Sequence, residues 1–214
     1  MYALTFTTWT HIQCGNYAAA SAQADEDVAV ADERGIVLWR GFGMMNQGQV
    51  LSLTGKAPDA VQMITSAMTR LRSTGTTMWM PLWLSYLTRD YAKLGQLDGA
   101  WRCIGEAMTA VETTKEKWCE AEIHRTAGEI TLMSPVPDTA KAEAHFQRAL
   151  AVAREQQAKS WELRSAMSAA RLWRDQGRRR QARDLLAPVY GRFTEGFNTL
   201  DLKRAKALLD ELAA

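Results

Sequence analysis

The chain has 214 residues, enough to bury a substantial core as one domain or one continuous array. Hydrophobic residues make up 47% and charged residues 23%, ordinary for a globular chain, and only five prolines argue against disordered linkers. A formal net charge of +2 gives no reason to expect nucleic acid or anionic lipid as partner.

The N-terminus, M-Y-A-L-T-F-T-T-W-T-H, has no basic stretch ahead of its apolar residues, so no signal peptide is expected. From there the apolar residues recur with helical period. Helices are predicted near 2–13 and 17–33, 36–53 and 57–73, 79–94 and 97–113, 117–133 and 139–157, and 160–176 and 179–190. A last helix over 199–213 follows, with Thr199 as its N-cap and Asp201 near its positive end. The longest uncharged run, Ser73 to Thr88, contains Pro81 and is shorter than the ~20 apolar residues of a membrane span. Cys14, Cys103 and Cys119 show no paired spacing and read as reduced, buried thiols of a cytoplasmic protein.

The predicted helices fall into a repeat. Gly followed five residues later by Ala occurs at Gly15/Ala20, Gly55/Ala60, Gly95/Ala100 and Gly177/Ala182, the first three glycines being 40 residues apart. Tryptophan is a second ruler. Trp39, Trp79, Trp118 and Trp161 each lie 16 residues before a turn position, held by Gly55, Gly95, Ser134 and Gly177. At Ser134 the segment S-P-V-P-D-T inserts about three residues, after which Ala142, Phe146 and Ala149 match Ala100, Ile104 and Ala107. The units are about 1–34, 35–75, 76–115, 116–158 and 159–191, read as a single domain. Ala60, Ala100 and Ala182 are expected to let paired helices approach closely, with Gly at the turn as a left-handed C-cap. The first unit's tryptophan position would fall before Met1, so Phe6 and Trp9 are expected to need cover from a partner or a second copy.

Tyr91 and Trp173 four before the turn glycine, Ala five after it, and a large apolar residue then Ala further on resemble the tetratricopeptide repeat. The resemblance implies an all-α, right-handed superhelix (solenoid) of tetratricopeptide-like helical hairpins with a C-terminal helix. The units depart from it in being about 40 rather than 34 residues long and in lacking the proline that usually closes the second helix. A narrower resemblance covers about Trp118 to Leu212. There A-E-A-H-F-Q-R-A-L-A-V-A-R-E-Q-Q-A-K-S-W-E-L-R, R-L-W-R-D-Q-G-R-R-R-Q-A-R-D-L-L and D-L-K-R-A-K-A-L-L-D-E-L look like the C-terminal region of bacterial adenylate/guanylate cyclase-like ATPase signalling proteins. That resemblance implies a regulatory or partner-sensing role and carries no catalytic residue onto this chain.

Direct signs of chemistry are weak. In G-Q-V-L-S-L-T-G-K-A, Gly48 to Ala57, six residues separate the glycines where a phosphate loop needs four, and Ala57 stands in place of the hydroxyl residue. His11, His124 and His145 have no i,i+4 partner, and Cys119 and His124 are five apart, off a common ligating face. No nucleophile elbow is present, and Glu106 and Glu112 read as solvated helix surface. No active site, metal or cofactor is expected. The basic run Arg171, Arg174, Arg178, Arg179, Arg180, Arg183 is interrupted by Asp175 and Asp184 and reads as helix surface.

Gln49, Arg89 and Arg171 hold equivalent positions six before the turn, Arg174 lies three before it, and Lys93 stands one helical turn from Arg89. In a tetratricopeptide array these first-helix positions line the concave groove, and a mildly basic floor would favour an acidic peptide segment of a partner protein. The reading is a non-catalytic interaction or regulatory module of a bacterial signalling system. Two others stand beside it: a self-associating remnant of a longer signalling protein, joined through the first hairpin, and an enzyme on a helical scaffold.

Overall fold

The computed structural model describes residues 1–213, and among them it contains helices and no strand. The helices are α1 (Tyr2–Cys14), α2 (Tyr17–Glu33), α3 (Val37–Leu53), α4 (Ala57–Ser73), α5 (Met80–Lys93), α6 (Leu97–Thr114), α7 (Glu120–Leu132), α8 (Thr139–Glu155), α9 (Lys159–Asp175), α10 (Arg179–Tyr190) and α11 (Leu200–Ala213). A short 3-10 turn, Lys117–Cys119, leads into α7 where the sequence predicts a continuous helix. The chain forms two compact units, Met1–Ala107 and Met108–Ala214.

The links between helices are more regular than a 40-residue period. Gly15, Gly35, Gly55, Gly75 and Gly95 all have left-handed backbone, and Lys115 adopts it (φ 62) at the next step. One left-handed link therefore closes each of α1 to α6 at 20-residue spacing, and the 40-residue glycine ruler picks out every second one. At Gly95 the geometry shows why glycine serves. Its φ of 72 lets its N–H reach the Ala92 carbonyl and the Gln96 N–H reach that of Tyr91, both at 2.9 Å, satisfying carbonyls the helix end would leave open. Ser134 takes no left-handed turn. The chain there runs through Pro135 and Pro137 to Asp138, whose carboxylate accepts the Lys141 N–H at 2.9 Å as the N-cap of α8.

The predicted small-residue contacts are present: Ala20, Ala60, Ala100, Ala142 and Ala182 are all fully buried. The facing helices contribute small residues too. A Cβ on Gly48 would stand 2.6 Å from Ile64 Cγ1, and one on Gly128 only 2.4 Å from Phe146 Cε1. Close approach is thus made from both sides of these hairpins. In the second unit, Leu202, Ala205, Leu208 and Leu212 of α11 join Phe146, Leu163, Met167 and Leu186 in one core.

Cys103 and Cys119 are free and buried, and burial pushes their thiols up to about 11 and about 12, too high to be reactive near neutral pH. Cys14 corrects the expectation for its type, since it is exposed at the end of α1.

Two carboxylates are fully buried in the first unit. Asp27 accepts from the Thr5 hydroxyl and Asp90 from the Ser52 hydroxyl, both at 2.5 Å. Burial raises the pKa of each above the usual carboxylate value, against the lowering effect of that hydroxyl. A raised folded-state pKa means the ionised form costs stability, and the cost is relieved as pH falls through that pKa. Asp27→Asn is therefore expected to raise the melting temperature at pH 7, with the gain shrinking on acidification. A gain that grew as pH fell would contradict this.

Candidate functional site

In the first unit, α1, α3 and α5 each turn an aromatic face toward one narrow cleft. Phe6 and Trp9 come from α1, and Phe42, Met45, Asn46 and Gln49 from α3, at spacings that place each set on one side of its helix. Trp79, at the N-cap of α5, is joined by Leu82, Trp83 and Tyr86. The open space is about 20 Å³, room for one water, because the rings pack on one another.

Trp79 is the hub. Its ring centroid lies 5.4 Å from both Phe6 and Phe42 and 6.2 Å from both Trp9 and Trp83. Its backbone is left-handed (φ 60), a conformation that costs a bulky residue roughly 1–2 kcal/mol. The packing of four rings offsets that strain and fixes the indole across the cleft. Phe6 and Trp9 pack on Trp79 within their own unit and are half-buried there. Tyr2 is the ring left open, 67% exposed while touching Phe6 and Trp39.

The polar edge is anchored by Asn46, whose amide donates to the Thr5 carbonyl at 3.1 Å. Gln49 is buried in the cleft wall rather than standing open on a groove floor. Arg89 holds its guanidinium 5.0 Å from the ring centroid of Tyr86, a cleft residue, in a cation–π arrangement. Lys93 has its ammonium donating to the Ser52 carbonyl at 2.9 Å and 3.4 Å from Asp90, with 45% of its side chain exposed. Gln49, Arg89 and Lys93 all lie in the first unit.

Arg171 and Arg174 lie in the second. Arg174 donates to Asp175 at 2.9 Å and to Glu211 of α11 at 2.7 Å, a tie between helices rather than an open cation. Arg178 and Arg179 make similar ties, Arg178 to Glu143 and over Trp173 and Arg179 to the Glu211 carbonyl, whereas Arg180 is exposed and pairs at 3.8 Å with Asp184 of its own helix. Arg171 is half-buried, and burial lowers its pKa against the opposing pull of Glu129.

His124 is more enclosed than a helix-surface histidine. Burial lowers its pKa, Glu120 stands 3.8 Å away, and the His145 ring is 6.4 Å off. Among the described residues no group of three or more His, Cys, Asp or Glu side chains is placed to hold a metal ion. No helix of the described residues is long and apolar enough to cross a membrane.

The repeat pattern does not mark the cleft, since of Trp9, Trp79 and Trp83 only Trp79 holds a repeated position. The signal was the spacing Trp79, Trp83, Tyr86 beside Phe6, Trp9.

The fold recurs among solved structures. A crystal structure of nearly identical TPR-like repeats from a kinesin light chain-like protein of Podosopora anserina has a TM-score of 0.55, with 16% identity, covering 89% of this chain and 93% of that one. A second crystal structure of such repeats, carrying one substitution, has a TM-score of 0.59, with 14% identity, covering 89% and 92%. No protein-family model matches the sequence, and no curated protein is significantly similar to it. At that identity the likeness speaks for the fold: the chain is an all-α solenoid of tetratricopeptide-like hairpins.

Proposed function

We propose that the chain is a non-catalytic interaction module that takes a peptide segment of a partner protein onto the aromatic cleft of its first unit. The observation that carries the reading is the convergence of Phe6, Trp9, Phe42, Trp79, Trp83 and Tyr86 from three first helices, with Asn46 and Gln49 at the polar edge. Rigid aromatic surface gives large contact area at small entropic cost, and such residues dominate binding energy at interfaces. Arg89 over Tyr86 puts positive charge at the margin. That favours an acidic residue beside an apolar anchor, with Gln49, Arg89 and Lys93 as its contacts. The resemblance of the C-terminal half to bacterial cyclase-like proteins favours a cytoplasmic, regulatory setting in bacterial signalling.

Selection from a random displayed peptide library against the full chain tests this. Enriched peptides should pair a large apolar residue with Asp or Glu, and Trp9→Ala, at a half-buried cleft ring, should weaken them by at least about tenfold, the scale of an interface hot spot. Equal binding to the Trp9→Ala chain would contradict the assignment. The exposed Tyr2 favours one competing reading, self-association through the first hairpin. Light scattering would then show a dimer that Tyr2→Ser abolishes.

A further inference from the structure

Between α7, α8 and α9, within the second unit, lies a cavity of about 320 Å³ whose apolar wall is Leu132, Phe146 and Leu172. This is near the lower end of the ~300–1,000 Å³ range of small-molecule pockets. Its polar wall carries charges of both signs, and their pairing differs in a telling way. Glu129 accepts from the Ser168 hydroxyl at 3.0 Å and from the Arg125 guanidinium. Asp175 accepts from Arg174 at 2.9 Å. Each lining carboxylate is therefore matched by a cation that belongs to the fold.

Arg171 is the exception. Its only hydrogen-bond contact among the described residues is Nη2 to the Met167 sulfur at 4.0 Å, a weak acceptor. That leaves the fork of N–H groups of this half-buried guanidinium to solvent, and an anion seated on it would meet both the charge and the fork.

We infer that this cavity binds a small organic carboxylate, its oxygens on Arg171 and its hydrocarbon against Leu132, Phe146 and Leu172. A carboxylate fits the planar guanidinium fork bidentately and brings one negative charge. A phosphate dianion brings nearly two, into a wall that already holds Glu129 and Asp175. The apolar wall selects for a ligand with a hydrocarbon stem over acetate or formate. Such a ligand would bridge α7 and α9 and make the second unit a small-molecule effector site. The site is separate from the aromatic cleft, and its failure would leave the peptide reading of the first unit untouched.

The test is NMR titration of the full chain with hexanoate. Neutral hexanamide, inorganic phosphate and an end-capped peptide holding one glutamate run in parallel. Hexanoate should shift the Arg171 side-chain N–H and the Leu132 and Leu172 methyls, with hexanamide at least about tenfold weaker, the scale of one charge-assisted hydrogen bond. Arg171→Gln should lose hexanoate by a similar factor with its melting temperature unchanged. Arg171→Lys should fall between, keeping the charge without the fork. The inference is overturned by equal binding of hexanoate and hexanamide, by phosphate binding as tightly as hexanoate, or by no hexanoate shift at these groups. Binding of the glutamate peptide without hexanoate would reassign the site to a protein partner and overturn it equally. The hexanoate–hexanamide comparison is made on the unaltered chain, so it stands even if a variant fails to fold.

Discussion

Ala100→Arg is expected to remove about 4 kcal/mol or more of stability, a large share of the ~5–15 kcal/mol a folded domain has. Ala100 is fully buried in α6 and occupies the position where Ala20 and Ala60 lie equally buried in α2 and α4. Arginine there adds volume to a helix contact that has none to spare, at about 1–3 kcal/mol. It also brings a cation with no carboxylate arranged to meet it, at several kcal/mol more. Thermal melting should show loss of the cooperative transition or a large downward shift. Arg102→Ala, an exposed position on the same helix, should move stability by no more than about 0.5 kcal/mol. Unchanged melting of Ala100→Arg would mean that the buried face of α6 is misassigned, and with it the repeat register.

The second large effect concerns the buried ion network of the second unit. Arg125, on α7, grips Glu122 with two N–H groups, at 2.6 and 2.7 Å, pairs with Glu129, and reaches Ser168 of α9 at 3.2 Å. Burial opposes its charge, but Glu122 and Glu129 outweigh it and hold the guanidinium pKa above its ordinary value. Glu122 is itself only 1% exposed. Arg125→Met should cost about 3–5 kcal/mol, because it leaves the Glu122 carboxylate buried without its bidentate partner. Adding Glu122→Leu to Arg125→Met should recover most of that loss, since two apolar residues replace the buried pair, while Glu129, 33% exposed, keeps the Ser168 hydroxyl and water. Chemical denaturation of the two variants measures both. A single variant as stable as the parent, or a double variant no better than the single, would contradict the account.

What was legible in the sequence follows from which forces are local. Helix positions were readable because an amphipathic period of about 3.6 residues, carried along 17-residue helices such as α3 and α4, and a left-handed glycine link are written in neighbouring residues, as at Gly55 and Gly95. The buried alanines were readable because one repeated spacing placed them all. The segment around Ser134 was less so: Pro135 and Pro137 replace the glycine link, and the N-cap Asp138 does the work locally. The candidate site was legible only in part. Arg89 is marked by its equivalence to Gln49 and Arg171 and Lys93 by standing one turn from it, but the partners of Arg174 lie in Asp175 beside it and Glu211 of α11, a pairing that no spacing in the repeat predicts. The aromatic cleft needs three helices separated in sequence, and the left-handed backbone of Trp79 that aims its indole has no signature among ordinary L-residues. Buried Asp27 and Asp90 were hidden for the same reason, their hydroxyl partners Thr5 and Ser52 being 22 and 38 residues away.

The central claim, that recognition belongs to the aromatic cleft of the first unit, is tested most directly by the indole N–H resonances of the full chain during titration with a library-selected peptide. The account predicts that Trp9, Trp79 and Trp83 move and saturate together, while Trp118 and Trp161, packed on each other in the second unit, stay in place. Saturable shifts confined to Trp118 and Trp161, or a peptide that binds and leaves the three cleft indoles unmoved, would contradict it.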